Sequence, residues 1–243
     1  GAYNTALYKK FARGWQDEGE YLWDENGYYK NPAVGDVMAD ASRPEGEQYI
    51  QWDGSQWVPM ETQPEGYEFS FSKFMERFAV CFGGKTPTHI SILSGANDFT
   101  YGCSEAEVNE WIQNYLEPMI QSIHEYNPEI TVMIAFGQLG SDQDAFGSSF
   151  GAMISSRQYN TSMMTMAKTL IQYYDDDAHK AENIYLVPIY ATLDTENGYS
   201  TETEQLNSYT DETVERHNDA LHPSSEGMNQ VGDSFLGVLE FTR

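Results

Sequence analysis

The chain has 243 residues and carries 13 Lys plus Arg against 38 Asp plus Glu, a formal charge of −25. That excess of acid argues against nucleic acid or an anionic membrane as partner. With 40% hydrophobic and 14% aromatic residues it is too apolar for a disordered acidic tail, and no run approaches the roughly 20 apolar residues a membrane-spanning helix needs. Gly1 opens the sequence without a Met, which suggests that a segment upstream is missing.

In chain order, residues 14–68 are rich in Asp, Glu, Gly and aromatics and show no sustained period, as expected of an insertion. Within them Tyr49–Val58 reads as a β-hairpin turned at Asp53-Gly54, with Trp52 and Trp57 beside the turn. The aromatics of this stretch (Trp23, Tyr28, Tyr29, Trp52, Trp57, Tyr67) either glue it to the core or form a platform for sugar rings, and the first reading is favoured. Val34-Gly35-Asp36-Val37 precedes the hairpin.

From Ser70 onward helical and strand signals alternate. Phe71, Phe74, Met75 and Phe78 suit a short amphipathic helix, and Thr88–Leu93 reads as a strand ended by Ser94-Gly95. Ser104 and Glu107 form a capping box before Val108, Trp111, Ile112, Tyr115, Leu116, Met119, Ile120 and Ile123, a helix that Pro118 should kink. Ile130–Phe136 is a strand apolar on both faces, as in a parallel sheet. A helix over about Ser162–Tyr174 follows, then a strand Ile184–Tyr190 whose Pro188 marks an irregular or edge position. The last helix starts after Pro223 and should place Met228, Val231, Phe235 and Val238 on one face. This alternation predicts a parallel α/β fold over 69–241 in a single domain spanning 1–243.

Cys81 and Cys103 form no metal or redox motif, and a disulfide between them is the minor reading. Asp175-Asp176-Asp177 reads as a solvated acidic turn rather than a Ca²⁺ site. His89, His124, His179 and His217 show no metal spacing, and His217 is expected at the rim of a site. No cofactor or metal is expected.

Two segments point to chemistry. Gly95-Ala96-Asn97-Asp98 immediately follows a strand, and Asp219-Ala220-Leu221-His222-Pro223 immediately precedes the last helix. Ligands of open α/β sheets bind at the carboxyl ends of strands, where both segments fall. An Asp three residues before a His can hold the imidazole Nδ1 proton and leave Nε2 free as a general base. An Asn at a strand end can aim its amide at a developing oxyanion.

In these blocks the sequence resembles the SGNH/GDSL hydrolase family. Gly95-Ala96-Asn97-Asp98 is similar to its third block, Asp219-x-x-His222-Pro223 to its fifth, and the likeness runs over roughly residues 69–241. The resemblance implies a three-layer α/β/α, flavodoxin-like fold and a serine esterase. In it Asp219 and His222 complete a triad, Asn97 lines the oxyanion hole, and Gly95 and Asp98 support that turn. An acyl ester, above all an acetylated carbohydrate, is the expected substrate, and an extracellular or periplasmic setting fits the acidity. The family's Gly-Asp-Ser block at the end of a first strand is not found: Val37 stands where its serine would follow Gly35-Asp36, and Gly232-Asp233-Ser234 falls inside the last helix. The first strand and its serine are therefore expected from an N-terminal fragment or second chain. A serine-less relative acting as a carbohydrate-binding module is the alternative.

Overall fold

A computed structural model of the chain describes residues 32, 34, 37–39, 49–60, 71–77, 83–142 and 155–243. Trp23, Tyr28, Tyr29, Tyr67, Cys81 and the Gly35-Asp36 pair lie outside the described residues. The chain groups into two compact units, one of residues 2–86 and 115–127 and one of residues 87–114 and 128–243.

The first unit begins with β1 (Val37–Ala39), β2 (Tyr49–Trp52) and β3 (Trp57–Pro59), an antiparallel sheet in that order. The expected hairpin is β2–β3. Its loop is closed by Asp53, whose backbone N–H donates to the Gln56 carbonyl at 3.1 Å and whose carboxylate accepts from the N–H groups of Ser55 and Gln56. Trp52 and Trp57 stand opposite each other with ring centroids 5.5 Å apart and planes at 62°. Edge against face, the half-buried indoles cover one another and form no flat platform. Helix α1 (Phe71–Arg77) belongs to the same unit, where Phe71 packs edge-on against Tyr126 and its N–H donates to the Ser122 hydroxyl at 3.0 Å.

The second unit holds the parallel sheet, built from β4 (His89–Leu93), β5 (Thr131–Phe136) and β6 (Ile184–Pro188) in the order β4-β5-β6. All six residues of β5 are buried, as the apolar run Val132–Phe136 requires. Helix α2 (Glu105–Trp111) starts on the full capping box of Ser104 and Glu107. Ahead of Pro118 the helix widens into a π segment over Ile112–Leu116, and α3 (Glu117–Tyr126) follows. Pro118 lacks the N–H that the Asn114 carbonyl would receive, and its ring presses on that carbonyl, so the wider turn relieves the clash.

Helix α4 (Ser156–Tyr174) begins six residues before the expected start, because Ser155 caps the Gln158 N–H and adds polar turns ahead of the apolar stripe. Helix α5 (Asp177–Ala181) is capped by Asp176, so the acidic run opposes the dipole of α4 but favours that of α5. Pro188 ends β6, which lies at the edge of the three strands, and a 3₁₀ turn Ile189–Ala191 follows.

An antiparallel pair, β7 (Thr201–Gln205) with β8 (Thr213–His217), was not expected. β7 is exposed along its whole length, so it carries no apolar period to read. Helix α6 (Ser225–Phe241) closes the chain. It packs Val231, Phe235 and Val238 on Met133, Ala135 and Val187 of the sheet. Alternation along β5 sends Val132, Ile134 and Phe136 to the opposite face, the side of α2 and α4. Met228 departs from expectation: it is exposed, and Gly227 and Ser234 occupy the buried stripe instead. The sheet thus lies between helices, an α/β fold. No helix among the described residues is long and apolar enough to cross a membrane.

Candidate active site

Because β4, β5 and β6 run parallel, the loops after Leu93, Phe136 and Pro188 leave the same edge of the sheet. Segment 218–224 is tied to two of them. The Gln138 amide donates to the Leu221 carbonyl (2.9 Å), the Ser141 N–H to the Ala220 carbonyl (2.8 Å), and the Ser224 N–H to the Gly198 carbonyl (2.8 Å). Ala220 and Leu221 are buried and anchor the residues on either side of them.

Within this segment Asp219 and His222 touch. One carboxylate oxygen of Asp219 accepts the N–H groups of Leu221 (2.8 Å) and His222 (2.9 Å), and the other stands 2.8 Å from His222 Nδ1. Burial pushes the Asp219 carboxyl up, but the hydrogen bonds from His222 and Leu221 outweigh it and hold the group below the usual carboxylate range. The His222 side chain is 71% exposed, so its Nε2 faces an open edge. A base held at one nitrogen and open at the other can accept a proton from a hydroxyl and return it to a leaving group.

Asp-x-x-His alone does not define this site. Asp176 and His179 repeat the arrangement at the cap of α5, with Nδ1 2.9 Å from the carboxylate and the His179 N–H on its partner oxygen. That copy leads into Ile184, the first residue of β6, and so lies at the amino edge of the sheet. Position relative to the strands distinguishes the two pairs.

Asn97 stands on the loop after β4, half-buried, with Asp98 beside it. Gly95 turns this loop at φ 97°, and a Cβ there would run into the buried Met166 side chain and lie 3.4 Å from Trp111. The Phe99 N–H closes the turn on the Gly95 carbonyl (3.1 Å), and the buried Ser162 hydroxyl of α4 holds the Phe99 carbonyl (2.6 Å). Asn97 makes no hydrogen bond to Asp219 or His222. The same loop borders a groove of about 350 Å³ lined by Tyr101, Arg157, Gln158, Thr161 and Thr165 among others. Cys103, also on its wall, is a free thiol in contact with Ser162, and burial pushes its pKa up.

His217 is not at a rim. It is 4% exposed, with Nδ1 2.6 Å from the Ser141 hydroxyl and Nε2 2.9 Å from the Glu196 carbonyl. Ser234 sits mid-helix in α6, buried, donating to the Gln230 carbonyl at 3.0 Å and paired with Thr192. Its hydroxyl belongs to the helix packing, so Ser234→Ala leaves ester hydrolysis unchanged; a loss of turnover without a loss of stability would contradict this assignment. Among the described residues no three His, Cys, Asp or Glu side chains gather as a metal site.

A family model, GDSL-like lipase/acylhydrolase, matches residues 40–235. The chain belongs to this family of ester hydrolases. It is also similar to a solved structure provisionally described as a platelet activating factor from Streptococcus pneumonia, at 19% identity and a TM-score of 0.44. That likeness covers 62% of this chain and 59% of the other. No curated protein matches the sequence.

Proposed function

We propose that this protein is a serine esterase that removes acyl groups, acetyl above all, from a carbohydrate. The observation that carries this reading is the Asp219–His222 pair, bonded through Nδ1 and open at Nε2 on the carboxyl edge of the sheet. In the proposed reaction a serine hydroxyl attacks the acyl carbonyl while His222 Nε2 takes its proton. The oxyanion is held by the Asn97 amide and backbone N–H groups. His222 then protonates the departing alcohol, and a water activated in the same way releases the acid and frees the serine. Asp219 keeps the imidazole in the productive tautomer and stabilises its charged form.

The sequence places no Gly-Asp-Ser block directly after a strand, and in the proposed reaction the serine is supplied by an N-terminal fragment or second chain. The groove beside Tyr101 supports a sugar alcohol: it offers an exposed aromatic ring, a guanidinium and several hydroxyls to a polyol. Release of acetate from acetylated oligosaccharides by the protein with its partner segment tests the reading. The expected result is a faster reaction than with acetylated simple alcohols, and equal or absent rates would overturn it.

A serine-less carbohydrate-binding module is the second reading; it would use the Trp52 and Trp57 rings singly, since together they form no flat platform. It predicts sugar binding that Trp52→Ala weakens and His222→Ala does not.

A further inference from the structure

We propose that Ser141 and His217 form a buried latch that sets the position of the Asp219–His222 pair, acting as positioning residues for the reaction read above, on which this inference rests. Ser141 grips the chain on both sides of Asp219. Its N–H holds the Ala220 carbonyl (2.8 Å), one residue after Asp219, and its hydroxyl meets His217 Nδ1 (2.6 Å), two residues before it. Ser141 is wholly buried and His217 nearly so. The second nitrogen of His217 reaches the loop after β6. A carbonyl oxygen only accepts, so Nε2, 2.9 Å from the Glu196 carbonyl, carries the hydrogen. In the tautomer that carries its single ring hydrogen on Nε2, Nδ1 accepts from the Ser141 hydroxyl.

Tyr199, buried against the same imidazole with centroids 6.0 Å apart, donates to the Leu139 carbonyl and ties the two loops together. The charged group nearest His217 is the Asp142 carboxylate, 3.8 Å from Nδ1. Thus the loop after β5, the loop after β6 and the end of β8 meet at one imidazole, and the chain leaving it carries Asp219. A buried hydrogen bond in such a junction has no water to replace it. On the His222 side the segment is held by the Gln138 bond to Leu221 and the Ser224 bond to Gly198, so the latch fixes the side from which Asp219 enters.

The test compares Ser141→Ala, His217→Asn and His217→Leu, with His179→Ala as control for the second Asp-x-x-His pair. His217→Asn keeps an acceptor near the Nδ1 position for Ser141, whereas His217→Leu removes both ring contacts. The low-field proton resonance of His222 Nδ1 is read by NMR on the chain itself, and kcat and KM are read on the protein with its nucleophile. The latch predicts a broadened or displaced resonance in Ser141→Ala and His217→Leu, with a kcat loss of roughly 10- to 100-fold and a KM within about twofold. His217→Asn should retain more of both, and His179→Ala all of both. An unchanged His222 resonance in folded Ser141→Ala, or equal losses in the two His217 variants, overturns the latch. If the wild type hydrolyses no ester, the esterase reading falls and the NMR comparison still decides the latch.

Discussion

On the proposed mechanism, replacing His222 by alanine should lower ester hydrolysis by about 10⁴-fold or more, with little change in thermal stability because the side chain is largely exposed. No other described side chain stands in its place as a base, and the loop around it is anchored by Ala220 and Leu221 rather than by the imidazole. Asp219→Asn should approach the same loss, since an amide cannot hold the same tautomer with the same charge. It keeps an oxygen for the N–H groups of Leu221 and His222, so the loop survives. The pH dependence has a definite sign. The Asp219 carboxyl is depressed in the folded state, so its contribution to stability is present above the ordinary carboxylate range and fades as pH falls through its lowered folded value. Thermal melts of the wild type and Asp219→Asn between neutral and acid pH check this: the gap between them should narrow on the acid side. A gap that widens there would refute the assignment.

Gly227→Ala should be the most disruptive single-methyl change at the site. A Cβ at this position would sit inside contact distance of the Gly198 carbonyl oxygen and 2.7 Å from the Pro223 side chain. Neither neighbour can swing away, since Gly198 is backbone and Pro223 is a ring. Helix α6 would have to lift from the loop after β6, stretching the Ser224-to-Gly198 hydrogen bond and the Ser224 cap on the Gly227 N–H. Overpacking of this kind costs about 1–3 kcal/mol, well beyond the modest gain in helix propensity that alanine brings. Because His222 and Pro223 lead directly into that helix, turnover should fall together with stability. Chemical denaturation and kcat measured on one preparation test this; an alanine variant as stable and as active as the wild type would show that the contact is not as tight as described.

The parallel sheet was readable because burial leaves a mark in sequence. Val132–Phe136 is apolar on every residue, and the α2 helix announces itself with a complete capping box. The Asp219–His222 contact was readable for a local reason, since three residues and a cap suffice to build it. The same locality makes it ambiguous, as the Asp176–His179 copy demonstrates. What the sequence could not convey depends on distant partners. The burial of His217 needs Ser141 and Glu196, 76 and 21 residues away, and no periodicity encodes such a meeting. The exposed β7 strand has no buried face to leave a pattern, and Gly227 rather than its apolar neighbour Met228 takes the close approach to the loop after β6, a contact with a distant residue, Gly198. The early start of α4 was signalled only by the Ser155 cap, which an apolar stripe beginning later concealed.

Labelling with a serine-directed fluorophosphonate, followed by mass mapping of the modified peptide in the protein as isolated from its source, tests the central claim most directly. The expected result is one adduct, on a Gly-Asp-Ser serine of the proposed N-terminal fragment or second chain, that disappears in His222→Ala. An adduct on Ser234, or labelling that persists without His222, would contradict it.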